Sequence, residues 1–319
     1  MNILLTGGAG YIGSVTAEAL LDAGHRVVVF DNLERGHREA VDPRAQLIVG
    51  DLRRADDIRN AMQQVRPDAV LHFAAFALVG ESMEQPEIYF HNNVVGGFHL
   101  IEAMRRVGVR RIVFSSTCAT YGVPDRVPMS EDLPQRPTNP YGESKLMLET
   151  MLRWYADRHG FEPVFLRYFN ACGATERLGE DHDPETHLIP NVLRVALGQA
   201  PAVRVFGDDY PTSDGTCIRD YIHVVDLASA HLQALDYLRR GGESTTLNCG
   251  YGHGYSVREV IDSVERVSGR KLNIVFEPRR AGDPPALIAR SQRLKAVLDW
   301  KPQHDELDFI GRTALDWER

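Results

Sequence analysis

The sequence predicts an α/β fold, a doubly wound parallel sheet followed by a smaller C-terminal α/β lobe. Short apolar runs alternate with amphipathic, helix-length segments through the first half of the chain, which implies parallel strands covered on both faces. The first apolar run breaks directly into a loop with glycines at 7, 10 and 13. The second ends in an acid, Asp31, eighteen residues after Gly13.

Ile3-Leu4-Leu5 is short and apolar, as a buried parallel strand requires. In the loop that follows, Gly7 permits a tight turn and Gly10 lets backbone N–H groups approach a pyrophosphate. Gly13 lets the next helix lie close to the sheet, and Tyr11 and Ile12 open that helix with free N–H donors. Arg26–Phe30 is the second strand, and Asp31 stands where an acid grips a ribose 2′-OH. A carboxylate there repels a 2′-phosphate, so NAD is expected rather than NADP. Together these features describe a Rossmann-type dinucleotide site.

Leu47–Val49 reads as a third strand, ending in Gly50-Asp51-Leu52, where an acid and an apolar residue suit an adenine. Ala55–Val65 is helical, and residues 68–75 form a fourth strand that runs into Phe73-Ala74-Ala75. One long helix is predicted over 85–107, then a fifth strand over 111–116 and a helix over 141–158. After Tyr168 the rhythm loosens into turn-forming clusters. Ser256 with Glu259 makes a capping box for a helix that closes at Gly269. The division expected is a nucleotide lobe over 1–170 and a substrate lobe over 171–319, with 222–238 able to pack back on the first lobe. A ligand cleft belongs at the carboxyl ends of the strands.

The 36 Lys and Arg against 44 Asp and Glu give a net charge of −8, which argues against a nucleic-acid binder. No apolar run approaches a membrane span, and no leader is expected ahead of the first strand. Cys118, Cys172, Cys217 and Cys249 are scattered without metal-ligand spacing and read as reduced, cytoplasmic side chains. The run Glu180-Asp181-His182-Asp183, with His187, matches no metal-binding pattern. It reads as a solvated loop, and no metal is expected.

Tyr141 and Lys145 are four residues apart on one helix face. A free phenol titrates near ~10 and is a poor base. An ammonium at ~4 Å, in an effective dielectric of ~20, contributes on the order of 4 kcal/mol. That would lower the phenol by roughly three pH units before desolvation takes some back. Ser115-Ser116-Thr117, at the end of the fifth strand, offers hydroxyls to face the same substrate oxygen, although a strand-end turn uses such residues equally well.

GGAGYIG, Asp31-Asn32, Gly50-Asp51, FAA at 73–75, SST at 115–117, YGESK at 141–145 and RYFN at 167–170 together resemble the extended short-chain dehydrogenase/reductases. VGES at 79–82, GDDYPTSDGTCIRDYIHV at 207–224 and RRAGDP at 279–284 narrow the resemblance to the UDP-glucose 4-epimerase family, over nearly the whole chain. The resemblance implies tightly held NAD, a UDP-sugar in the cleft and a transient 4-keto sugar. Tyr141 would exchange the 4-OH proton, and Lys145 would hold the nicotinamide ribose. Thr117 stands at the family's usual serine, with Ser116 as the substitute.

By the same resemblance, Asn32, Leu52, Asn92, Ser115 and Tyr168 join the cofactor side. Asn170, His187, Leu188 and Phe206 join the substrate side. Arg219 and Arg280 would take the diphosphate and Asp283 a ribose hydroxyl, although Arg219-Asp220 reads equally as a surface ion pair. Ala77 replaces a lysine that some members use to hold NAD. Leu287 is intermediate between the large and small side chains that decide whether an N-acetyl group fits. The helices near 85–107 and 141–158 carry Met147, Leu148, Met151 and Tyr155, most simply core residues, but the family pairs these helices in a homodimer.

Three rival activities are open to the same scaffold. A 4,6-dehydratase needs an acid pair after the active-site threonine, where Cys118-Ala119 stand instead. A 4-epimerase for another UDP-sugar (N-acetylated, pentose or uronate) would differ only in the pocket. A non-catalytic NAD-binding sensor would have no need of the Tyr141–Lys145 pair.

Overall fold

The computed structural model describes residues 1–280 and 282–319. Ala281, inside the Arg279–Pro284 motif, lies outside the described residues. Six strands follow in order: β1 (Asn2–Thr6), β2 (Arg26–Asp31), β3 (Gln46–Val49), β4 (Ala69–His72), β5 (Arg111–Thr117) and β6 (Glu162–Tyr168). Short strands then build the smaller lobe: β7 (Asn170–Cys172), β8 (Val203–Phe206), β9 (Ile218–Arg219) and β10 (Tyr221–His223). The chain returns to the main sheet as β11 (Thr245–Cys249), then adds β12 (Tyr255–Ser256), β13 (Ile274–Glu277) and β14 (Ala286–Leu287).

The main sheet has seven parallel strands in the order β11-β6-β5-β4-β1-β2-β3. The order reverses between β1 and β4, so their carboxyl ends frame the crevice in which open α/β sheets bind ligands. Ile3, Leu5, Val27, Val29, Leu71 and Val113 face one layer, and Leu4, Val28, Phe30, Val70, Ile112 and Phe114 the other, all 0–1% exposed. Two buried faces explain why these strands read as unbroken apolar runs.

A division at residue 170 does not follow the sheet. The helix Val224–Arg239 packs against the helix Tyr11–Asp22, and β11 pairs along β6 from Thr245↔Val164 to Cys249↔Tyr168. The segment from Val224 to Cys249 therefore completes the nucleotide lobe. Its strand sits beyond a long irregular insertion, which hides it from a reading based on rhythm.

The helix expected over 85–107 runs without interruption from Pro86 to Val107 but carries a π turn. Pro86–Tyr89 is α-helical, Phe90–Val95 is a π turn, and Gly96–Val107 resumes as α-helix. The capping box at Ser256 and Glu259 forms in both directions, and Gly269 ends that helix at φ 69°. All four cysteines are free thiols, and no helix among the described residues is long and apolar enough to cross a membrane.

Candidate active site

The glycine loop shows why each glycine stands where it does. Gly7 has φ +76°, and a Cβ there would overlap the Ala74 backbone at the end of β4. A Cβ on Gly13 would collide with Gly7 O. Gly10 differs: its φ of −87° suits any residue, and the nearest protein atom to an added Cβ is 3.6 Å away. The protein leaves room there, in front of a helix start that no side chain caps. Free N–H groups and an open approach fit a dinucleotide pyrophosphate.

Asp31 takes Ala9 N–H at 3.0 Å and Leu33 N–H at 2.9 Å, so the acid braces the loop as well as ending β2. Burial raises its pKa, and those N–H bonds oppose the rise. Asp51 is likewise opposed by burial but is held low overall by the Arg53 guanidinium, 2.6 Å away. Leu52 is buried beside it. Phe73 and Ala74 donate their N–H groups to Thr6 O at 2.9 and 3.0 Å, which ties the end of β4 to β1.

Lys145 and Tyr141 project from the helix Pro140–His159, whose first turn is capped by Asn139 Oδ1 on Gly142 N–H at 2.8 Å. A Cβ on Gly142 would sit 2.6 Å from Ala119 O, so this glycine brings the helix against the turn after β5. Across that contact the Thr117 hydroxyl faces the Tyr141 phenol. Thr117 Oγ1 accepts Ala119 N–H at 3.1 Å, which leaves its own proton to donate toward the reacting oxygen. Lys145 Nζ donates to Ser115 O at 2.7 Å and lies 5.0 Å over the Phe114 ring.

Electrostatics here differ from the sequence expectation. Burial pushes Tyr141 up to about 12, opposed only by the Thr117 hydroxyl, and burial pulls Lys145 down to about 7. The expectation weighed the ammonium and undercounted the cost of removing both groups from water.

Ser116 is corrected as a catalytic candidate. It is fully buried and donates to Glu149 Oε1 at 2.6 Å beneath the helix Pro140–His159, on the opposite face of β5 from Thr117, as strand alternation demands. Glu149 also pairs with buried Arg167, whose Nη2 lies 2.6 Å from Oε2. Asn92 is half-buried and donates to Asn93 Oδ1 at 3.1 Å. It is the neighbour, Asn93, that takes Phe76 N–H at 2.8 Å and donates to Ser144 Oγ at 2.9 Å. Sequence reasoning missed Asn93, Glu149 and Arg167; two adjacent asparagines and an acid on a helix's inner face were the available signals.

Tyr168, expected on the cofactor side, is buried at the end of β6. His231 Nδ1 donates to Leu227 O at 2.8 Å, which leaves Nε2 bare to accept the Tyr168 hydroxyl at 2.5 Å. Ser115 faces the same hydroxyl, and Phe73 lies against the His231 ring, centroids 4.7 Å apart.

The smaller lobe presents Arg219 on β9, with Nη2 2.5 Å from Asp283 Oδ1. Arg280 stacks over Phe206 at 4.0 Å. Asn170 Nδ2 donates to Asp220 O at 3.0 Å, and Leu287, paired across one strand with Arg219, packs like Cys118 against the cluster of Tyr121, Met129, Leu133, Phe169 and Ala289.

A family model described as "NAD dependent epimerase/dehydratase family" matches residues 3–250. The chain belongs to this family. The UDP-glucose 4-epimerase of Lacticaseibacillus casei is 50% identical over 319 residues, 99% of this chain and 96% of its own. The structure of UDP-glucose 4-epimerase from Brucella ovis in complex with NAD superposes with TM-score 0.96 at 47% identity, over 98% of this chain and 97% of that one. That of the Bifidobacterium longum enzyme in complex with NAD+ and UDP gives 0.94 at 37%, over 100% and 98%.

In this family member His187 and Leu188, expected on the substrate side, stand where the loop meets the next helix. His187 Nδ1 lies 2.8 Å from Glu180 and 2.9 Å from Glu185, so its imidazole is held by carboxylates. Leu188 opens the helix Leu188–Ala196 and packs on the core. The loop before them is not simply solvated. Glu180 is buried, and Glu185, overlooked in the sequence, has a side chain 1% exposed.

Proposed function

We propose that the chain interconverts UDP-galactose and UDP-glucose as an NAD-dependent 4-epimerase. The observation that carries this is Tyr141 and Lys145 on the helix that Gly142 brings against the turn following Thr117. NAD, when bound, supplies a hydride acceptor that returns what it takes, so net redox is zero. The residues present fit it: Gly10 leaves the pyrophosphate approach open, Asp31 stands at the ribose and Tyr168 with Ser115 lines the far end.

Tyr141 removes the proton from the sugar 4-OH as C4 gives up hydride, and returns it once the keto sugar has turned its other face. Thr117 donates a hydrogen bond to the same oxygen. With a phenol near 12 and an amine near 7, the protein alone does not make the base. Lys145 would hold the ribose of bound NAD, and an oxidised nicotinamide would supply positive charge that lowers the phenol's pKa toward neutral pH. Arg219 and Arg280 suit the diphosphate, and Asp283 exchanges its Arg219 partner for a ribose hydroxyl. Leu287, paired across one strand with Arg219, borders the sugar and sets the room at C2.

A homodimer fits the same reading. Val95, Phe98, Met147 and Trp154 are 38%, 42%, 40% and 59% exposed on the two helices expected to pair, whereas Leu148 and Leu152 of the second helix turn into the core. Four free cysteines suit the cytoplasm.

The test is turnover of UDP-galactose and UDP-N-acetylgalactosamine by purified protein without added NAD. Conversion of the first is expected, with loss of at least about a hundredfold in Tyr141→Phe while NAD stays bound. Wild-type turnover in that variant would overturn the base assignment. Conversion of the acetylated sugar would show that Leu287 leaves space; silence on both, even with NAD supplied, would move the assignment to another UDP-sugar.

A further inference from the structure

Between β7 and the helix Leu188–Ala196 the chain carries acid and imidazole alternately: Glu180, His182, Glu185, His187. One ligand atom from each lies within 4.8 Å of all the others. His182 Nδ1 is 3.1 Å from Glu180 Oε1 and 3.8 Å from Glu185 Oε2. His187 Nδ1 is 2.8 Å from Glu180 Oε1 and 2.9 Å from Glu185 Oε1. Zinc bonds to imidazole and carboxylate of about 2.0–2.1 Å set the edges of a tetrahedron at about 3.3 Å, inside the range these four separations span.

Proton counting points the same way. An imidazole nitrogen carries one hydrogen, yet His187 Nδ1 faces two carboxylates. A single central cation satisfies all four contacts at once. The carboxylates lie inside and the imidazoles outside, 31% and 44% exposed, so a cation reaches the site from solvent. Two nitrogens and two carboxylate oxygens exclude the hard, all-oxygen preference of Mg2+ and Ca2+ and favour Zn2+ or a similar transition ion. With all four positions filled by protein, such a site is closed and structural.

We propose that Glu180, His182, Glu185 and His187 form a structural divalent transition-metal site, with Zn2+ as the expected ion. Its surroundings give it a task. Glu180 O accepts Trp317 Nε1–H at 3.1 Å, which ties the loop to the last helix. His182 packs edge-on against Tyr11, ring centroids 6.4 Å apart, and the Tyr11 hydroxyl donates to Gly173 O at 2.5 Å. A metal here pins the C-terminal helix and the second half of the chain to the first turn of the dinucleotide helix. The sequence pattern concealed it because Asp181 and Asp183 crowd the motif while Glu185 completes it.

The test is metal analysis of untagged full-length protein after dialysis against metal-free buffer, followed by Co2+ titration of chelator-stripped protein. About one equivalent of zinc per chain is expected, with tetrahedral Co2+ bands on titration. Both should be lost in His182→Asn and in Glu185→Gln, whose folding is checked by circular dichroism. Loss of metal should also lower the thermal midpoint of the wild-type protein. Folded wild-type protein that retains no zinc and develops no Co2+ bands would overturn the site and leave two imidazole–carboxylate pairs. So would Co2+ bands that persist unchanged in both variants. Neither readout depends on epimerase activity.

Discussion

Gly10 and Gly13 look alike in the sequence and part company in the structure. Gly10→Ala adds a methyl group that meets nothing nearer than 3.6 Å. We expect it to fold with unchanged stability and to lose NAD on gel filtration. Gly13→Ala collides with Gly7 O and should lose thermal stability as well as cofactor. Equal destabilisation of the two would show that the loop, and not the ligand, demands glycine at 10. Thr117 and Ser116 separate in the same manner. Thr117→Val should lower kcat by about tenfold to a hundredfold with normal stability, while Thr117→Ser keeps most of it. Ser116→Ala should instead cost about 1–3 kcal/mol in a denaturant titration, through the lost hydrogen bond to the charged Glu149 carboxylate. The glycines, Asp31, Tyr141 and Lys145 were legible because their chemistry dictates residue type and spacing. Asn93 and the Ser116–Glu149 contact were not, since each depends on which face of an element turns inward.

At the scale of elements, the six leading strands and the capped helix after Ser256 announced themselves through burial on two faces and through a local hydrogen-bond signature. The π turn at Phe90–Val95 did not, because nothing in its composition departs from an α-helix. Its effect is to carry Asn93 onto the end of β4 and the Tyr141 helix together. The two- and three-residue strands of the smaller lobe are too short for periodicity to register. Helix Pro140–His159 is anchored from below by Glu149 and Arg167, 0% and 2% exposed at their side chains. Arg167→Met leaves the buried Glu149 carboxylate with the exposed Arg153 as its remaining charged partner and should cost up to about 3–5 kcal/mol in urea unfolding. Glu149→Gln together with Arg167→Met should recover part of that loss; strict additivity would refute the pairing.

For the whole molecule, three buried neutral histidines govern behaviour in acid. Burial lowers His72 to about 3, and His223 and His231 to about 4. A depressed histidine binds fewer protons folded than unfolded below about pH 6.5, so stability is intact above that value and falls as pH drops. Between pH 7 and 5 each should cost about 2 kcal/mol, so the thermal midpoint should drop steeply across that interval. His231→Gln should flatten the acid limb; an unchanged slope would remove this residue from the account. Association has its own test. Phe98→Glu should convert a dimer into monomers in sedimentation analysis, and an already monomeric wild type would dispose of the proposed helix pairing.

The late return of β11 bears on how the chain is made. When residue 170 leaves the ribosome, six of the seven strands of the main sheet have been delivered, but β6 still offers an unpaired apolar edge. Its partner arrives only with Thr245–Cys249. During that interval the nascent nucleotide lobe carries the hazard of an open strand edge, and a chain arrested between 170 and 245 should bind chaperones far more strongly than one arrested after 249.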